Sequence, residues 1–181
     1  MAEQTFTSGQ TLTAAQMTTL QTNIGLNLVS TTTIGTAVSS VTVSNAFNSN
    51  YDAYKIVVAG GTSSADAQLQ LKLGASVTGY YASKVFYVYS SAAAFVSADD
   101  NAALWTTIGF SISGQGLSAC VELQNPFLSK YTYMSASAAA TTLGGAVTGV
   151  HQVATSYTAF TLVASSGTLT GGTISVYGYR K

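Results

Sequence analysis

The sequence predicts a mainly β protein: an antiparallel β-sandwich of jelly-roll or lectin-like type, carrying a short N-terminal helical arm. Three observations point there. Many segments after residue 38 alternate apolar and polar side chains, the period of a half-buried strand. Turn-forming clusters rich in Gly, Asn and Ser separate these segments, with no helical stretch between them. Apolar residues recur at spacings of three and four only near the N-terminus. Strands joined without helices pair antiparallel, and clean alternation gives each sheet one buried and one polar face.

The helical arm comes first. Thr13-Ala-Ala-Gln16 has the form of a capping box, in which the hydroxyl accepts from the N3 amide and the glutamine reaches back. Met17, Leu20, Ile24 and Leu28 follow as an apolar stripe, with Thr18, Thr19, Gln21, Thr22 and Asn23 between them. Gly25 is placed to end the helix, leaving Leu28 just beyond it. So short a helix is marginal alone in water. The stripe therefore needs a partner, either the body of its own chain or the same helix from sister subunits. Residues 1–35 read as this arm and 36–181 as one sandwich domain.

The strands are justified in order. Val41-Thr-Val43 opens the set. Tyr54, Ile56 and Val58 share a face, and so do Leu69, Leu71 and Leu73. Lys84-Val-Phe-Tyr-Val-Tyr89 is aromatic and β-branched. Leu104, Thr106, Ile108, Phe110 and Ile112 alternate, as do Leu117, Ala119, Val121 and Leu123. Segments beginning at Tyr131, Val147, Ala159 and Thr173 complete about ten strands. Gly60-Gly61, Ser113-Gly-Gln-Gly116, Asn125-Pro126, Gly144-Gly145 and Gly171-Gly172 are among the turns.

Charge is scarce. Six acidic and six basic residues make up 7% of the chain, where an ordinary soluble domain has about 25%. Little repulsion keeps copies apart, so the surface suits packing against sister copies or a larger assembly. Zero net charge leaves no basic face for nucleic acid. No apolar run is long enough to span a membrane, and the start lacks the features of a signal peptide. We therefore expect synthesis and use without export by the usual N-terminal route.

Few residues offer chemistry. Cys120 is the only cysteine and reads as a small filler in a strand. His151 is the only histidine; no G-x-S-x-G elbow accompanies it, and its place at a strand end suggests a surface or sheet-edge residue. Asp99-Asp100-Asn101 could offer oxygen ligands to a hard cation, but adjacent residues of this kind more often form a solvated turn, and EF-hand spacing is missing. The Gly-rich stretches lack a P-loop lysine. We thus expect no catalytic, cofactor-binding or metal-binding residues. The tyrosines, among them Tyr80, Tyr81, Tyr87, Tyr89, Tyr131, Tyr133, Tyr177 and Tyr179, suit sheet packing or a subunit interface, and less often a glycan site.

Four stretches stand in a recognisable order: Phe6-Thr-Ser-Gly-Gln-Thr-Leu-Thr-Ala-Ala-Gln-Met17; Val41 to Val58 with Leu69-Gln-Leu-Lys-Leu73 and Tyr80-Tyr81; Asn125-Pro-Phe127 with Lys130-Tyr-Thr-Tyr133; and the ending Ser165 to Arg180. Together they resemble a group of small β-rich virion proteins of tailed bacteriophages. Thr18 and Leu169 depart from the group's asparagine and phenylalanine, and the loop after the Leu69 strand is short. The resemblance implies a non-enzymatic virion component, made in a host cytoplasm and displayed as a head decoration, head fibre or tail appendage. It transfers no active residues. The expected partners are sister copies, a trimer foremost, and capsid or tail proteins. The alternative is a module that binds a host-surface glycan.

Overall fold

A computed structural model describes residues 8–22 and 25–181. Helix α1 covers Ala14–Thr22. Its capping box forms as the sequence predicts: the Thr13 amide donates to Gln16 Oε1 at 2.9 Å and the Gln16 amide to Thr13 Oγ1 at 3.2 Å.

The strands, in chain order, are β1 (Leu26–Thr33), β2 (Ser40–Val43), β3 (Tyr51–Gly60), β4 (Thr62–Ser63), β5 (Ala67–Leu73), β6 (Tyr80–Val88), β7 (Ala94–Ala102), β8 (Trp105–Ile112), β9 (Gly116–Gln124), β10 (Thr132–Ala139), β11 (Leu143–His151), β12 (Phe160–Ala164), β13 (Leu169–Thr170) and β14 (Thr173–Arg180). The fold is mainly β, as predicted, and all pairings are antiparallel. Three segments behave differently from expectation. Gly144-Gly145, read as a turn, lies inside strand β11, where it pairs with both β10 and β6. Residues 26–33 of the arm are a sheet strand paired with β14, so Leu28 lies in β1 and not at a helix end. Asp99-Asp100-Asn101, read as a turn, belongs to strand β7.

Twelve strands form one sheet that branches at β9. One edge of β9 pairs with β3. The other is shared: Gly116–Ala119 pair with β8, and Cys120–Gln124 with β10. The branch yields two layers, β2-β12-β5-β8 and β1-β14-β3-β9-β10-β11-β6-β7. The pairs β3/β14, β4/β13, β5/β12 and β6/β11 are nested, so the chain winds as a doubled ribbon about its core in the manner of a jelly roll.

Alternation decides what the layers bury. Leu69, Leu71, Leu73, Phe160 and Leu162 of the smaller layer join Tyr54, Ile56, Val121, Leu123, Ile174 and Val176 of the larger in one core, each fully buried. Removing such side chains from water supplies the main driving force for the fold. Strand β8 is covered on both faces, so its predicted single face is only part of the picture. Trp105, Thr107 and Ser111 are buried along with Ile108, while Phe110 meets Phe86 edge-on at 5.5 Å. A register shift opposite Leu69 and Leu71 accompanies this change of facing.

Two predicted turns close against each other. Gly61 has φ of +65°, and a Cβ there would lie 2.2 Å from the Gly171 carbonyl oxygen. Only glycine allows Gly60-Gly61 and Gly171-Gly172 to approach so closely.

Candidate functional site

The larger layer leaves one broad face to solvent, and strand register shows what lies on it. Directly paired residues share a face. One row across the sheet runs Tyr179, Ala53, Gln124, Tyr133, Val150, Tyr81. The next runs Leu28, Tyr177, Lys55, Glu122, Ser135, Thr148, Ser83, Ala98. A third runs Ser175, Val57, Cys120, Ser137, Ala146, Val85, Val96. All of these side chains are exposed or half-buried.

The face is electrically quiet. Its three rows hold one acid and one base, Glu122 and Lys55, standing opposite each other. Glu122 also accepts a 2.6 Å hydrogen bond from the Tyr179 hydroxyl, which pushes that phenol up to about 12. The tyrosines border small hydroxyl-bearing residues. Tyr81 and Tyr133 stand on either side of Val150 and line a shallow groove together with Ser83, Thr148 and Gly149. A neighbouring trough holds Lys55, Cys120, Glu122, Ser135, Ser137, Ala146 and Thr148. Such a surface suits a flat partner held by rings and hydroxyls.

The arm is the second exposed element. Met17 is 45% exposed on α1, and Leu28 60% exposed on β1 beside Tyr177. Leu20 falls within α1, but its side chain lies outside the described part, and Ile24 lies outside the described residues. The stripe of four is therefore not one helix face, because Leu28 belongs to the sheet.

His151 and the Asp99-Asp100 pair do not meet at the surface. His151 is not an edge residue: it is 0% exposed, packed 4.2 Å from the ring of Tyr80, and its Nε2 lies 2.9 Å from Ser76 Oγ and 3.1 Å from the Thr78 carbonyl oxygen. It pairs with the buried Thr132 of β10, so its side chain faces inward, where the rings of Tyr80, Trp105 and Tyr157 cover it. Burial holds its pKa below the usual 6.5 despite the Thr78 contact. The neutral ring is therefore the form that suits the fold, and its stabilising effect is present above about pH 6.5 and is lost as pH falls towards the depressed folded value. Stability measured by urea melts should drop by up to about 1.4 kcal/mol per pH unit from this residue as acid is added below that point. A folded His151→Asn variant should lose that component of the slope; an unchanged slope would contradict the assignment.

Asp99, Asp100 and Asn101 serve separate ends. Asp99 is buried and accepts from Lys84 Nζ at 2.6 Å, from the Thr106 hydroxyl at 2.6 Å and from the Thr106 amide at 3.0 Å. Asp100, next along the strand, is exposed. Asn101 Oδ1 accepts from the Gly79 amide and the Thr78 hydroxyl, bracing the start of β6. Among the described residues no three His, Cys, Asp or Glu side chains converge to hold a metal. Sequence reasoning missed the Lys84–Asp99 pair, although the signal was there: Lys84 alternates with Ala82 and Phe86, so it had to point inward.

Among the described residues no helix is long and apolar enough to cross a membrane. No protein-family model matches the chain, and neither a curated protein nor a solved structure does.

Proposed function

We propose that this chain is a non-enzymatic structural protein of a tailed-bacteriophage virion, self-associating and displayed on the particle as a head decoration, head fibre or tail appendage. The observation that carries the self-associating part is the broad uncovered face of the larger layer, whose three rows hold a single opposed charge pair. A surface of hydroxyls, small residues and tyrosine rings loses little on being covered, since few ions need to be desolvated. The four stretches of phage-like sequence support the virion setting. Helix α1, with Met17 exposed, is the element suited to attachment or to a helical contact between three copies.

The test is a chain beginning after residue 22. It keeps β1, whose pairing with β14 makes it part of the sheet. We expect it to fold with an unchanged β-type circular-dichroism spectrum and to be missing from purified particles. Normal incorporation would show that α1 is not the anchor. Copy number by quantitative protein staining separates the settings, hundreds per particle for the head and far fewer for the tail.

A second reading rests on the groove between Tyr81 and Tyr133. Rings flanking Ser83 and Thr148 are the chemistry that grips a sugar, one stacking and the other hydrogen-bonding. Loss of host adsorption in a folded, incorporated Tyr81→Ala/Tyr133→Ala variant would favour this glycan-binding role.

A further inference from the structure

The sheet has three free edges among the described residues, and they are not alike. Strand β1 is interrupted by a register shift between Leu28 and Ser30. Strand β2 has only four residues. Bulges and shortness are the usual devices that stop an edge from pairing with another chain. Strand β7 has neither over its first part. Its register with β6 runs unbroken from Ala94 opposite Tyr87 to Asp99 opposite Ala82, and the shift comes only beyond that. The run Ala94-Phe-Val-Ser-Ala98 holds no charge and no proline. Phe95 is 55% exposed and Val96 66% exposed, on opposite faces of the strand. Alternate residues of this run turn their amide and carbonyl groups away from β6, so what satisfies them in full is another β-strand.

We propose that β7 pairs antiparallel with β7 of a second copy across a two-fold axis at Val96, joining the two larger layers edge to edge. The self-register favours an identical partner. Val96 meets Val96, Phe95 meets Ser97, and Ala94 meets Ala98. Asp99 falls opposite Ala93, and Asp100 opposite Ala92, so no like charges come together. Each pairing is returned by its reciprocal across the axis, as an isologous contact requires, and the two exposed Val96 side chains meet each other. This contact does not depend on the virion setting or on helix α1.

The experiment uses the full chain and measures mass by light scattering at micromolar concentration. The unaltered protein is expected to run as an even-numbered assembly. Val96→Lys and Val96→Glu should each halve that mass, because the axis sets like charges against each other, while circular dichroism stays β-type. Mixing the two variants should restore the original mass through opposite charges at the same axis. A monomeric wild type overturns the proposal, as does a folded Val96→Lys chain of unchanged mass. Failure of the two folded variants to re-pair on mixing also overturns it. A mass that persists in Val96→Lys but falls on removal of residues 1–22 would overturn the β7 contact and leave association through the arm standing.

Discussion

Replacing Lys84 by alanine is expected to cost about 3–5 kcal/mol of stability, the range for removing one partner of a buried ion pair. The side chains of Lys84 and Asp99 are 7% and 5% exposed, and their charges lie 2.6 Å apart. Thr106 completes the cluster, its hydroxyl 2.5 Å from Lys84 Nζ and 2.6 Å from Asp99 Oδ1. Without the ammonium, Asp99 keeps two hydrogen bonds from Thr106 but is an uncompensated charge between the layers. Apolar replacement of both partners, Lys84→Met with Asp99→Leu, should recover a large part of the loss, because neither charge then needs desolvation. Urea melts of the single and double variants provide the check. A loss below about 1 kcal/mol for Lys84→Ala would mean that water reaches the pair and that the buried cluster is misassigned.

The second large effect is expected at Trp105, where substitution by alanine should cost about 3–5 kcal/mol. The indole is fully buried, meets Tyr80 edge-on at 5.1 Å and donates from Nε1 to the Tyr81 carbonyl oxygen at 3.2 Å. It therefore ties β8 to β6 across the branch. The cavity would lie beside Tyr80, whose phenol burial pushes up to about 12 while its oxygen accepts from the Leu73 amide at 2.7 Å. The surroundings are rings and paired backbone, which collapse poorly into a void. Thermal melts should show the drop, and a change smaller than that of an ordinary surface substitution would contradict the packing described.

Much of this was legible in the residues, and the failures share a cause. The capping box, the β alternation and turn glycines such as Gly60-Gly61 and Gly171-Gly172 are local signals that act where they stand, whereas Gly144-Gly145 is drawn into β11 by pairing with β10 and β6. Strand β7 was missed because Ala-Phe-Val-Ser-Ala-Asp-Asp-Asn does not alternate cleanly, an edge strand being under weak pressure to bury either face. Asp99 was read as solvated because its partner lies 15 residues away on β6, and only the β6–β7 pairing brings them together. His151 was placed at an edge because strand ends are ordinarily open. Tyr80, Trp105 and Tyr157 cover this one, and they come from distant parts of the chain. Leu28 fitted a helical stripe by spacing alone, and pairing with β14 overrode that pattern. The tyrosine-bordered face was visible as a list of residues in the sequence but not as rows, since rows need the register of eight strands.

Self-association is the property on which the proposed role of this chain depends. Sedimentation equilibrium of the full chain across micromolar concentrations measures it directly. We predict a species heavier than the 18.5 kDa chain throughout. A single 18.5 kDa species at every concentration, with the β-type spectrum intact, would contradict the account.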